Sequence, residues 1–214
     1  ASQVAEMTRM QDEVITGIAN LIESRDGSTG LHVKNTQNYV QILTKALREK
    51  GMYPDILDHN YELNTVKASV LHDIGKIKTP DAILLKPGRL TDEEFEVMKQ
   101  HTVAGCEIID RIIGNVEHEE YVDIARKIAR YHHERWDGTG YPDGLSGEEI
   151  PLCARIMALA DVFDALYQDR CYKKAIRPAS KVFEIIKENS GSQFDPNLTE
   201  IFLELQREIT DISE

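Results

Sequence analysis

His72 is followed at once by Asp73 inside the apolar run VKASVLHDIGKI, and His132 stands beside His133 at the end of an amphipathic stretch. Asp161 lies in MALADVFDAL, a mostly apolar segment. Burying an imidazole or a carboxylate is costly unless the group is paired or binds a metal. Imidazole nitrogen combined with carboxylate oxygen suits divalent iron, manganese, nickel or zinc. Neighbouring helix residues diverge by ~100°. A His-Asp pair at a helix end can therefore give its histidine to one metal while its carboxylate bridges to a second. The chain has seven histidines, at 32, 59, 72, 101, 118, 132 and 133. A lone histidine reads most simply as a surface or hydrogen-bonded residue. Adjacency to a carboxylate or a second imidazole is what points to metal chemistry.

Directly after the paired histidines comes a loop, ERWDGTGYPDGL, in which Gly138, Gly140 and Gly144 permit tight backbone paths and Pro142 fixes one φ angle. A second feature is basic: Arg170, Lys173, Lys174 and Arg177 fall within eight residues of an otherwise acidic chain. A guanidinium in such a cluster can fork onto a phosphate.

These groups need elements to hold them, and the patterning is helical. Apolar residues at Val4, Met7, Val14, Ile18 and Leu21, interrupted by Gln11, follow a 3-4 repeat that fits a connector helix or one face of a packed one. A turn at Asp26-Gly27-Ser28 precedes a helix from Leu31 to Lys50, stopped by Gly51. The stretch from Leu63 to Ile74 reads as a buried helix ended by Gly75. Thr91 and Glu94 form a capping box that starts a helix to Ile113, and another helix runs from Glu119 to His133. Pro151, Pro178 and Pro196 each open a further helix, the first reaching Tyr167. No convincing strand pair is present. The expected fold is all-α: a connector helix over residues 1–22 and one compact domain over 23–214.

With 214 residues, 41% of them hydrophobic, the chain can bury a sizeable core. Its net charge of −12 repels duplex nucleic acid. No run approaches the roughly 18 apolar residues of a membrane span, and the opening ASQVAEMTRMQDE lacks a signal-peptide pattern. Cys106, Cys153 and Cys171 are widely spaced, which fits a reducing, cytoplasmic setting and argues against a cysteine-based zinc site.

The motifs together carry a resemblance. His32, His72-Asp73 and Asp161 resemble the metal signature of the HD phosphohydrolase superfamily. HDIGK at 72–76, His101, HHERWDG at 132–138, Gly140-Tyr141-Pro142, DVFDALYQDRCYKK at 161–174 and FDP at 194–196 resemble, in order, the HD-GYP family of cyclic-dinucleotide phosphodiesterases. The likeness covers about residues 20 to 205. It implies an HD-type helical domain whose first metal is held by His32, His72, Asp73 and Asp161. Asp73 would bridge to a second, completed by His101, His132 and His133.

The implied cofactor is two divalent ions, iron or manganese, since relatives with a third metal carry glutamate where Ser28 stands. Glu23 reads as a solvated helix residue. Two such ions lower the pKa of a water and so supply hydroxide for attack on phosphorus in line with a departing 3′-oxygen. The resemblance assigns Lys76 to phosphate stabilisation beside Asp73. Arg170 and Lys173 would contact substrate. Asp164, one turn after Asp161, would contact the nucleotide or orient a ligand. Tyr141 would stack on a base or present the loop to a partner such as a cyclic-dinucleotide synthase domain. Arg135 and Asp137 read equally as supports behind the site's ligands and as a plain loop salt bridge. Lys174 and Arg177 read as a solvated turn, and His59 and His118 match no motif.

The expected activity is hydrolysis of cyclic di-GMP to linear pGpG and onward to GMP. The alternatives are cyclic GMP-AMP as substrate at the same site, or a non-catalytic module that binds nucleotide or protein. The chain is expected to belong to a larger bacterial signalling protein, its first helix passing on a signal and serving as a candidate homodimer contact.

Overall fold

The computed structural model describes residues 2–26, 31–114, 119–168 and 175–212. They form ten helices: α1 (Ser2–Glu23), α2 (His32–Glu49), α3 (His59–Ala68), α4 (Asp81–Leu84), α5 (Asp92–Ile113), α6 (Glu119–Tyr131), α7 (Leu152–Tyr167), α8 (Ala179–Glu188), α9 (Pro196–Glu204) and α10 (Gln206–Asp211). No strand occurs among the described residues, whose one ladder-type contact is an isolated bridge between Ser190 and Phe194.

α7 is apolar on nearly every side, as a helix enclosed by others must be. Every residue from Leu152 to Ala160 is buried. Phe163 is the centre of an aromatic cluster, its ring edge-on to Tyr39 of α2 and close to Phe183 of α8 and Phe202 of α9. Truncating such a ring to alanine costs about 3–5 kcal/mol. α2 buries Val33, Val40, Leu43 and Leu47 against α7, and α6 adds Val122, Ala125 and Ile128 from another side. α1 packs Ala19 and Ile22 into this core but leaves Met10, Val14 and Leu21 exposed. No helix among the described residues is long and apolar enough to cross a membrane.

Local chemistry sets the boundaries. Asp58 caps α3 by accepting from the Tyr61 N–H. The reciprocal Thr91–Glu94 box opens α5 as the sequence predicts. Asp195, in the FDP motif, caps α9 and also pairs with buried Arg155 at 2.6 Å. The expected single helix from Leu63 to Ile74 is a correction. α3 stops at Ala68, and two 3₁₀ turns follow at Ser69–Leu71 and Ile74–Lys78. The cause is a captured carbonyl: Ser69 O accepts from both the backbone N–H and the ring Nδ1 of His72. An α-helix would have offered that oxygen to residue 73. α6 likewise ends at Tyr131, two residues short of the expected His133, so the paired histidines lie just past its last turn.

Candidate metal centre

Five segments deliver the candidate ligands. His32 is the first residue of α2, and His72 and Asp73 sit between the two 3₁₀ turns. His101 lies mid-way along α5, His132 and His133 follow α6, and Asp161 belongs to α7. Gly75 brings two of these segments together. A Cβ there would stand 1.8 Å from the His101 carbonyl oxygen, so only glycine lets the 3₁₀ turn meet the α5 backbone.

The outer nitrogens of four rings are already committed. His72 Nδ1 donates to Ser69 O (2.9 Å), His101 Nδ1 to Met98 O (2.7 Å) and His132 Nδ1 to Ile128 O (2.9 Å). A carbonyl can only accept, so each Nδ1 carries a proton and each Nε2 faces inward, where it offers a lone pair once the ring is neutral. His32 Nδ1 donates in the same way to the Asp164 carboxylate at 2.7 Å. This is how ligand histidines are oriented around metals.

The inward atoms form two groups that share Asp73. In the first, His32 Nε2 lies 3.3 Å from His72 Nε2 and 3.5 Å from Asp161 Oδ1, while His72 Nε2 is 3.3 Å from Asp73 Oδ2. In the second, Asp73 Oδ1 is 3.2 Å from His101 Nε2 and 3.7 Å from His132 Nε2. One donor atom from each of Asp73, His101, His132 and His133 falls within 4.8 Å of the others, and the same holds for Glu23, His32, His72 and Asp73. Asp73 Oδ1, His101 Nε2 and His132 Nε2 are buried and make no well-formed hydrogen bond. Buried polar atoms of this kind call for a partner. Converging imidazole and carboxylate donors are the set that divalent transition ions take, so the residues fit metal at both groups.

The electrostatics agree. Burial alone would raise the Asp73 carboxyl, but Lys76 and His72 beside it hold it well below the usual range. Burial likewise opposes ionisation of Asp161, and His32 and His72 outweigh it, keeping that carboxylate charged. Burial pushes His133 well below the ordinary histidine value, with His132 and His101 adding to it, so it stays a neutral donor. Lys76 Nζ contacts Asp73 Oδ2 at 2.6 Å and Glu23 Oε1 at 3.3 Å.

Beyond the histidines, the loop folds back over Glu134. This buried carboxylate accepts the backbone N–H groups of Asp143, Gly144 and Leu145 at 2.8, 3.0 and 3.1 Å. Arg130 grips Asp143 through two nitrogens at 2.9 and 2.8 Å. Gly140 passes so close to Glu134 that a Cβ would lie 2.5 Å from its Cα. The fold-back sets the Tyr141 ring 4.9 Å from that of His133 and 5.9 Å from Phe95. Trp136 N–H and Asp137 N–H donate to Gln193 O and Ser192 O, tying the loop's start to the segment before FDP.

One reading is corrected. Glu23 is 2% exposed and reaches Lys76, so it is no solvated helix residue. It lies four residues after buried Ala19, and that spacing was the available signal. Asp164 is 1% exposed, its carboxylate taken by His32, Asn35 and Tyr39, a placement that fits the expected role of orienting a ligand. Sequence reasoning also missed Glu134, and Arg25, whose guanidinium donates to the carbonyls of Lys76, Ile77 and Thr79 and to Asp81. Arg135 and Asp137 approach each other at 3.7 Å and Thr139 bonds both, as a loop network would have it. His59 is exposed, beside Glu62. Ser28, His118, Arg170, Cys171, Lys173 and Lys174 lie outside the described residues.

Comparison with known proteins follows the same lines. The family model described as HD domain matches residues 18–198. The chain is 44% identical over 211 residues to a cyclic di-GMP phosphodiesterase of Vibrio cholerae, covering 97% of this chain and 42% of that protein. It is 42% identical over 200 residues to a cyclic di-GMP phosphodiesterase of Thermotoga maritima, covering 94% and 50%. It is 35% identical over 201 residues to 3′3′-cGAMP-specific phosphodiesterase 2 of Vibrio cholerae, covering 94% and 36%. The chain thus spans half or less of the length of these relatives. Among solved structures it matches Bd1817, an HDG"Y"P protein from Bdellovibrio bacteriovorus, with a TM-score of 0.60 at 17% identity, over 94% of this chain and 63% of that one. At that identity the likeness speaks for the fold. Sequence, ligand order and architecture agree: the chain belongs to the HD domain family, in its HD-GYP branch.

Proposed function

We propose that this chain is a metal-dependent phosphodiesterase domain that hydrolyses cyclic di-GMP to linear pGpG and then to GMP. The observation that carries the reading is Asp73, whose two carboxylate oxygens face different histidine groups while Lys76 sits 2.6 Å away. Relatives named for this activity share 42–44% of the aligned residues. His32, His72, Asp73 and Asp161 would hold one divalent ion, and Asp73, His101, His132 and His133 a second. Bound there, the ions would supply Lewis acidity and a water of lowered pKa. The chain's own part is to bind and orient. Lys76 would donate to a phosphoryl oxygen, offsetting charge that grows as the 3′-oxygen departs. Tyr141, fixed against His133, would bound the site and offer its ring to a base. Arg170 and Lys173 would contact substrate.

Iron or manganese is the proposed pair. Metal analysis of protein purified without added metal, with turnover of cyclic di-GMP and cyclic GMP-AMP on the same sample, tests both points. Two equivalents of metal and faster turnover of cyclic di-GMP are expected. The relative named for 3′3′-cGAMP, at 35% identity, motivates the second substrate, and preference for it would overturn the first choice. Binding without turnover would favour a non-catalytic module.

On the same reading the domain works in the cytoplasm. The GYP loop would be the face for a synthase domain. The open stripe of Met10, Val14 and Leu21 would be the face for a second copy. Light scattering of wild type and Leu21→Glu tests the last point, with a loss of dimer expected.

A further inference from the structure

A cavity of about 360 Å3 opens beside Asp73, His101, His133 and Asp161. It is also lined by Ile83, Leu84, Leu90 and Met98, which are apolar, and by Lys86, which is charged. Among the described lining residues, Lys76 and Lys86 carry the positive charge. Lys76 is committed to Asp73 and Glu23 at the reacting end. Lys86 lines the same cavity, and its position is built. Its Nζ lies 2.6 Å from Glu94 Oε2, and Glu94 is itself locked into the capping box at the start of α5. The same helix carries Met98 and His101 into the cavity.

We propose that Lys86 holds the phosphodiester of a cyclic dinucleotide that is not being cleaved, with the apolar lining taking one base. The inference rests on the cyclic-dinucleotide reading above and adds a residue to it. Such a substrate carries two phosphodiesters, each with one negative charge, closed into a ring. When one sits at the metal groups, ring closure keeps the other nearby, and a charged donor in the same cavity matches its charge. A lysine has three N–H donors. Glu94 takes one, and two remain for phosphate oxygens. The bland account of Lys86 is a partner for Glu94 alone, but both side chains are about 30% exposed, at 30% and 29%, where an ion pair contributes little. The lysine can therefore be replaced without unfolding the domain.

The test is steady-state kinetics of wild type, Lys86→Met and Lys86→Arg on cyclic di-GMP, on cyclic GMP-AMP and on bis(p-nitrophenyl) phosphate, which has one phosphodiester. For Lys86→Met we expect KM for the cyclic substrates to rise about 10-fold or more, kcat to change less, and the loss with bis(p-nitrophenyl) phosphate to be several-fold smaller. Lys86→Arg should recover most of the cyclic-substrate affinity. Metal content and thermal midpoint should match wild type. Unchanged KM for the cyclic substrates, or an equal loss on all three, overturns the assignment while leaving the phosphodiesterase reading intact. A wild-type protein that cleaves bis(p-nitrophenyl) phosphate but neither cyclic dinucleotide overturns both.

Discussion

Glu23 Oε1 lies 3.3 Å from Lys76 Nζ, so the last residue of the first helix touches the lysine that contacts the shared carboxylate Asp73. The pair is nearly enclosed, with 12% of the lysine side chain and 3% of the glutamate exposed. A charge-assisted contact of this kind is worth roughly 1.5–3 kcal/mol. Glu23→Gln keeps the shape and removes the charge. It should lower kcat about 10-fold while metal content stays at the wild-type level. Loss of metal in that variant would make Glu23 a ligand and not a positioning residue.

Asp73→Ala should abolish turnover and strip metal from both groups, because among the described residues it is the one common to both. Elemental analysis after desalting reads this directly. Retention of one full equivalent would show that the groups are independent.

Asp164→Asn separates two roles for that carboxylate. If it orients His32 through the 2.7 Å bond, the variant should bind metal about 10- to 100-fold more weakly, with KM unchanged once metal is saturating. A rise in KM at saturating metal would return Asp164 to the substrate.

Acidity should act through His72. Burial, the largest influence, lowers its pKa, but Asp73, Asp161 and Glu23 outweigh it and raise the metal-free ring from 6.5 to about 9. A raised value means the ring is protonated at pH 7. In the metal-free chain that charge stabilises the fold fully below about pH 6.5 and is lost as pH rises through about 9. A metal must displace the same proton, so affinity should strengthen as pH rises toward 9 and weaken on acidification. Manganese titrations by calorimetry at pH 7, in buffers of different ionisation enthalpy, should show proton release. A binding heat that is the same in every buffer would contradict this.

Glu134→Ala should free three loop N–H groups and cost about 1.5–3 kcal/mol, read as a lower denaturant midpoint. Arg130→Ala should cost less, since that pair is about a third exposed, at 28% and 35%.

The seven candidate ligands were legible because their residue types are rare in apolar runs and their order matches a family. Helix stops at Gly51 and the cap at Thr91 were legible because backbone chemistry at those positions is local. What stayed hidden depends on contacts between distant segments. The break after Ala68 arises when the His72 ring takes a carbonyl, which periodicity cannot register. Glu134 is meaningful only once residues 143–145 have turned back onto it. Asp164 was seen to share a helix face with Asp161, but its partners on α2 are 125–132 residues away in the chain.

Gly75 has a consequence of its own. Its backbone nitrogen is 3.4 Å from the position a Cβ on Gly105 would take, and its missing side chain admits the His101 carbonyl. Main chain therefore rests on main chain between the segment bearing His72 and Asp73 and the helix bearing His101. No rotamer intervenes to act as a joint. The spacing between the two halves of the centre is thereby a dimension of the scaffold. Ions of different radius would be met by turning rings and carboxylates inside a frame that does not itself open or close.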